Sequence, residues 1–179
     1  MKNEDLHIEV SDASADDVFG ISDVQKETWL ATYPNEEFGI TKEDILSEDF
    51  RSKGRIEKRT EIINNPESDT KFFVAKCNGG IVGYCCAQKL KEFNKVRSLY
   101  ILPEFQRKGV GKKLISKAFD FLDLAKPTKL TVAIYNTNAI SFYEKLGFAK
   151  GERLMENPEG AFASGREIPE MEMIKEGLK

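Results

Sequence analysis

Residues 96–111 read Val-Arg-Ser-Leu-Tyr-Ile-Leu-Pro-Glu-Phe-Gln-Arg-Lys-Gly-Val-Gly, an apolar strand-like run that stops at Pro103 and turns through a basic, glycine-bearing loop. After Val110 the apolar residues Leu114, Ile115, Ala118, Phe119 and Leu122 recur at helical spacing. A strand entering a helix in this way leaves several backbone N–H groups without partners at the helix N-terminus. Gly109 and Gly111 carry no side chain to obstruct an anion, and Arg107, Lys108 and Lys112 add positive charge to the helix dipole. The chemistry this implies is the grip of a phosphorylated cofactor. Two common phosphate loops do not fit. A Walker loop needs glycine at Gln106 and Ser or Thr at Lys113, and a dinucleotide fingerprint needs glycine at Leu114.

A second block follows after one helix and one strand. Leu130 to Tyr135 alternates and is β-rich, and it runs into Asn136-Thr137-Asn138-Ala139-Ile140-Ser141-Phe142-Tyr143-Glu144-Lys145-Leu146-Gly147-Phe148. Asn136 or Thr137 can cap a short helix there and Gly147 can end it. Gln106-x-x-Gly109-x-Gly111 and Asn136-x-x-Ala139-x-x-x-Tyr143-x-x-x-Gly147-Phe148, in this order, resemble the two signature blocks of the GNAT superfamily of acetyltransferases. The resemblance covers Val96 to Phe148, and the flanking β segments agree with it.

Acyl transfer from a thioester to an amine needs a neutral amine, an aligned thioester, donors for the developing oxyanion and a proton for the departing thiolate. The resemblance implies that acetyl-CoA is the cofactor. It implies that Leu99, Tyr100 and Ile101 offer backbone groups to the pantetheine arm. Gln106, Arg107, Lys108, Gly109, Val110, Gly111 and Lys112 would wrap the pyrophosphate, and Asn136 would bond the arm. Tyr143 would stand near the sulfur as general acid, since a phenol of pKa ~10 can donate to a thiolate whose acid has pKa ~8.5. Its plain alternative is packing beside Phe142 and Phe148, and that of Asn136 is the helix cap. Trp29 and Tyr33 are the expected wall of the acceptor cleft, or else cover the core four residues apart. The general base stays unassigned. Some relatives that acetylate protein N-termini carry Glu where Thr131 stands, and Glu27 and Glu36 are more naturally surface charges. Glu170-Met171-Glu172-Met173 adds a similarity to spermine/spermidine acetyltransferases. The expected reaction is therefore acetyl transfer to a primary amine of a small molecule, a polyamine being one candidate. A protein or peptide amine, or an acyl-CoA-binding module without catalysis, are the alternatives.

These residues need a scaffold. Leu6 to Val10 reads as a first strand, and a helix with Val18, Ile21 and Val24 on one face ends at Pro34-Asn35. Lys42 to Ile63 reads as helical and contains Gly54, so one piece or two are possible. Lys71 to Lys76 and Ile81 to Leu90 form a hairpin about Asn78-Gly79-Gly80, joined by a third strand from Lys95 to Leu102. Ala149 to Met155, a loop from Glu156 to Arg166 and a last strand near Glu170 to Ile174 close the chain. The expected class is α/β: a mixed, mostly antiparallel central sheet flanked by helices, which the GNAT resemblance implies is splayed at the acetyl-CoA site. One domain over residues 1–179 accommodates all of it, with no internal repeat or dividing linker.

Composition sets the outer bounds. Apolar residues make 40% and charged residues 32% of 179, and no apolar run approaches the roughly 20 residues of a membrane helix. The first residues lack an apolar signal segment, so a cytoplasmic location is expected and no membrane partner. Cys77, Cys85 and Cys86 read as reduced core thiols, because the one histidine, His7, is remote and a nucleophilic cysteine wants such a neighbour. That scarcity of histidine and of clustered cysteine also argues against a metal site. A net charge of −3 argues against a nucleic-acid partner and suits a cationic acceptor. The resemblance leaves a homodimer open.

Overall fold

A computed structural model describes residues 7–154 and 162–178 of the chain. Seven strands form one sheet: β1 (Ile8–Asp12), β2 (Thr70–Cys77), β3 (Gly80–Lys89), β4 (Asn94–Ile101), β5 (Thr128–Ala133), β6 (Ala149–Arg153) and β7 (Glu170–Lys175). Their spatial order is β1-β2-β3-β4-β5-β7-β6. Every neighbouring pair is antiparallel except β4 and β5. Among the described residues five α-helices accompany the sheet: α1 (Val18–Thr32), α2 (Lys42–Leu46), α3 (Lys53–Asn64), α4 (Val110–Phe121) and α5 (Thr137–Lys145). The mixed α/β class read from the sequence is the class observed. Leu6 of the expected first strand, Met155 of the expected Ala149–Met155 segment and residues 156–161 of the late loop lie outside the described residues.

Local chemistry accounts for the element ends. The β2–β3 hairpin turns on two residues of positive φ, Asn78 (49°) and Gly79 (81°), as a tight right-twisted connection requires. Gly80 is therefore the first residue of β3 and pairs with Cys77. Ser14 closes a capping box with Asp17 ahead of α1, its N–H donating to the Asp17 carboxylate at 2.8 Å. The Lys42–Ile63 region is two helices, and Gly54 is not the break. It sits in the first turn of α3, while the chain unwinds between Leu46 and Lys53. That unwinding carries Phe50 into the interior, where it is 3% exposed. The fifth strand lies two residues earlier than read: it starts at Thr128 and ends at Ala133, and Tyr135 turns back so that its hydroxyl donates to the Tyr33 carbonyl at 2.8 Å.

Both faces of the sheet are covered. Along β2, Phe73 and Ala75 join the core under α4 and α5, with Leu114, Ile115 and Ala118. Val74 points the other way, against Ile21 and Val24 of α1. A further cluster on the α1 face gathers Tyr33, Ile40, Ile45, Phe50, Ala133 and Phe162.

The parallel pair decides where a cavity forms. β4 and β5 are in register only at Asn94↔Thr128 and Lys95↔Lys129. Asn94 pins that end, its Nδ2 donating to the Asp123 carbonyl at 2.7 Å. Beyond it β4 carries an irregularity against β3 at Cys86/Ala87, where Arg97 has no register partner. An extra residue of this kind raises local twist and turns the strand away from its neighbour. From Val96 to Ile101 the β5-facing edge of β4 is consequently unpaired by β5, and the sheet opens as a V.

Candidate active site

The opening between β4 and β5 leads into a cavity of about 660 Å³ that reaches from the start of α4 to the end of α1. At one end lies the glycine loop. A 3₁₀ turn over Pro103–Phe105 follows β4, and Gln106 Nε2 donates back to the Ile101 carbonyl at 3.1 Å. Arg107 adopts φ +58° and Gly109 φ +81°, and Gly109 is the N-cap of α4 with no side-chain hydrogen bond to the first turn. The free N–H groups of that turn and the helix dipole therefore remain for a ligand anion. A Cβ at Gly109 would meet nothing within 4 Å, so the approach is open. This fits the diphosphate of a nucleotide cofactor.

The two glycines have different tasks. At Gly111 a Cβ would come 3.3 Å from Ile101 and 3.5 Å from Phe142, so this residue allows close packing of α4 on β4 and α5. Val110 is 1% exposed with its side chain in the core, leaving only its backbone for a ligand. Arg107 and Lys112 line the cavity, whereas the Lys108 ammonium sits over the Phe105 ring at 5.4 Å and is not part of the lining.

The middle of the cavity belongs to β4, β5 and α5. Leu99 and Ile101 direct their side chains to the α4 core, and Tyr100 directs its ring to the α1 face. Asn136 caps α5, its Oδ1 accepting from Ala139 N–H at 3.1 Å, which leaves the side-chain NH₂ as a donor. Tyr143 borders the cavity, 8% exposed, with its ring edge-on to Phe142 (5.3 Å) and Phe148 (5.7 Å). Burial pushes its phenol well above the ordinary value, so it holds its proton. Packing and cavity placement coexist in this one residue.

At the α1 end the lining is aromatic. Tyr33 and Tyr100 hydroxyls lie 3.2 Å apart, and Tyr135 joins them. Trp29, read as a wall of the cleft, is not in the lining. Its ring packs edge-on to Tyr33 (5.2 Å) and Phe50 (5.3 Å), supporting Tyr33 from behind. Trp29 and Tyr33 share a helix face, but the Trp29 ring is turned onto Phe50 while Tyr33 reaches the opening. The buried Trp29 indole N–H makes no hydrogen bond of ordinary geometry among the described residues, but it acts on the Tyr100 hydroxyl. Glu27 and Glu36 are exposed and outside the lining. Thr131 lines the cavity. Cys85 and Cys86 are buried and free, and burial pushes the Cys86 thiol to about 12 and that of Cys85 well up, so neither supplies a thiolate.

The sequence reading missed Tyr135 and Glu170. Tyr135 was legible as the residue just before the Asn136 cap. Glu170 carried only the weak signal of a carboxylate alternating with two methionines.

Comparison with known proteins agrees with this architecture. The acetyltransferase (GNAT) domain family matches residues 68–150. An uncharacterized N-acetyltransferase of Chlorobaculum tepidum is 32% identical over 113 residues, which is 60% of this chain and 68% of that protein. The spermidine N(1)-acetyltransferase of Thermoplasma acidophilum is 26% identical over 147 residues, covering 80% and 89%. Against a third relative, an uncharacterized N-acetyltransferase of Methanocaldococcus jannaschii, the match spans only 40% of the relative's length. Among solved structures, the PaiA N-acetyltransferase of Thermoplasma acidophilum in complex with coenzyme A superposes with a TM-score of 0.74 at 23% identity, covering 96% of this chain and 99% of that one. A V-shaped opening in a mixed sheet, with an uncapped glycine turn at its mouth, is the architecture of an acyltransferase of the GNAT type. The chain belongs to the GNAT acetyltransferase family.

Proposed function

We propose that the protein transfers the acetyl group of acetyl-CoA to a primary amine of a small, cationic acceptor, a polyamine being the leading candidate, by direct attack in a ternary complex. The observation that carries this reading is the continuity of one cavity from the uncapped turn at Gly109 to the tyrosine cluster of Tyr33, Tyr100 and Tyr135. The cofactor brings the activated thioester. The backbone N–H groups around Gly109, Val110 and Gly111, with Arg107 and Lys112, hold its diphosphate. Gln106 keeps the loop in place through its bond to Ile101. The unpaired edge of β4 at Leu99, Tyr100 and Ile101 offers main-chain groups to the pantetheine arm, as an added strand would. Asn136 donates to the same arm, and Tyr143 gives its proton to the sulfur as the carbon–sulfur bond breaks. Aromatic faces at Tyr33, Tyr100 and Tyr135 suit an ammonium. The spermidine activity named for the Thermoplasma relative supports a polyamine.

A free-thiol release assay with acetyl-CoA against polyamines, amino acids, aminoglycosides and peptides tests the assignment. Turnover of polyamines without peptides is the expected result. Turnover of peptides alone would move the acceptor to a protein amine. Cofactor binding without turnover of any amine would leave a binding module.

A further inference from the structure

Acyl transfer at neutral pH begins from a protonated amine, so some group must take its proton. Strand β7 places one carboxylate where this is possible. Register sets Glu170 opposite Ala133 and Glu172 opposite Thr131, while Met171 and Met173 enter the α4 core. Residues opposite in register share a face. Ala133 belongs to the cluster of Tyr33, Phe50 and Phe162, so Glu170 and Glu172 stand on the α1 face, where the tyrosine end of the cavity lies. Glu172 is already neutralised by Lys129 at 3.2 Å. Glu170 is half-buried behind the cavity lining rather than in it, and forms no ion pair within 4 Å among the described residues.

Its surroundings are specific. The hydroxyls of Tyr33 from α1, Tyr100 from β4 and Tyr135 after β5 all feel the Glu170 charge, and Lys95 of β4 is the cation that acts on it. Lys129 and Glu172 on the same face neutralise one another. Arg153 of β6 is opposite Met171 and so belongs to the other face. We propose that Glu170 is the proton acceptor of the reaction, reached from the cavity through the hydroxyls of Tyr33 and Tyr100, which lie 3.2 Å apart, and water between them and the amine. Burial holds its carboxyl above the ordinary carboxylate range, against the effect of Lys95, and makes it a better base for an ammonium.

The inference rests on the acetyltransferase reading above. In the balanced step, one ammonium proton passes to Glu170, and the freed nitrogen lone pair forms the bond to the acetyl carbon. The carbon–sulfur bond breaks with its electron pair going to sulfur, which takes the Tyr143 proton. The remaining surplus proton on nitrogen restores Tyr143, and Glu170 releases its proton to solvent.

The test is a pH series of kcat/KM for thiol release with the best acceptor, for wild type, Glu170→Gln, Glu170→Asp and Glu172→Gln. Cofactor affinity is measured by calorimetry on each. Glu170→Gln is expected to lose on the order of 100-fold at pH 7 with unchanged cofactor affinity. The loss should shrink steadily toward alkaline pH, where the amine arrives already neutral. Glu170→Asp should recover part of the rate, and Glu172→Gln should keep the wild-type profile. A Glu170→Gln enzyme with the wild-type profile, or one impaired equally at every pH, would overturn the assignment. Wild-type protein that binds the cofactor but turns over no amine would instead remove the acetyltransferase reading and this inference with it.

Discussion

In the proposed reaction Tyr143 serves packing and chemistry with one side chain. Its ring is held between Phe142 and Phe148, and that same burial holds the phenol well above its ordinary value, so it is protonated at neutral pH. In the proposed step such a hydroxyl hydrogen-bonds to the departing thiolate, and the proton it passes to sulfur is restored at once from the substrate nitrogen, because burial disfavours the phenolate. Tyr143→Phe preserves the ring contacts and removes the proton, so turnover should fall by 10²-fold or more while calorimetry finds cofactor affinity within about threefold. Equal losses in both would assign the hydroxyl to binding instead. Glu170 carries the opposite balance. Its charged form is disfavoured by burial, so the folded state binds its proton more tightly than the unfolded chain does. Stability it contributes at acid pH is lost as pH rises through the ordinary carboxylate range toward its raised folded value. Glu170→Gln should therefore melt at or above the wild-type temperature at pH 8 even as it loses activity.

Strand β4, the glycine turn and α4 act as one unit. The irregularity at Arg97 opens the sheet, Pro103 ends the strand, and Gly109 starts the helix in a left-handed conformation that needs no Cβ. Because nothing lies within 4 Å of the Gly109 Cβ position, Gly109→Ala would be strained by its backbone alone. That strain costs about 1–2 kcal/mol, or roughly 2–8 °C in melting temperature for a chain of this size. It should weaken cofactor binding as the turn relaxes. Denaturation and calorimetry measure the two effects, and unchanged values in both would show that the turn tolerates a side chain. The apolar face of α4 clamps the unit to the sheet. Leu114 is 0% exposed, and Leu114→Ala should cost about 2–5 kcal/mol in chemical denaturation.

Across the molecule, the two faces of the sheet divide the labour. The α4–α5 face lies at the glycine-turn end of the cavity, and the α1 face, against which the segment of Phe162 and Arg166 packs, lies at its tyrosine end. Asp44 holds that segment. A hydrogen bond from Ser164, the Thr41 N–H and hydroxyl, and Arg166 at 3.2 Å keep the Asp44 carboxyl at about 2. The folded value is lower than the unfolded one, so this stabilisation is complete above pH 4 and is lost as pH falls from there toward 2. Asp44→Asn should lower the melting temperature at pH 6 and flatten its decline between pH 4 and 2. Parallel melting curves for the two proteins in that window would separate the segment from this carboxylate. Among the described residues no helix is long and apolar enough to cross a membrane.

Signals confined to neighbours along the chain were readable without coordinates. The turn at Asn78-Gly79, the cap at Asn136, the stripe on α4 and the glycine loop each depend on a few consecutive residues and their backbone preferences. The spacing of the two signature blocks added the family. What remained hidden depends on contacts between distant segments. Trp29 and Tyr33 are equivalent in sequence, yet only Tyr33 reaches the cavity, because Phe50 from an unwound segment claims the other ring. Glu170 was one acidic residue among many until register placed it opposite Ala133, on the face that carries the tyrosine hydroxyls. Strand pairing and the direction of burial belong to no single stretch, and they are the forces that separate a base from a surface charge.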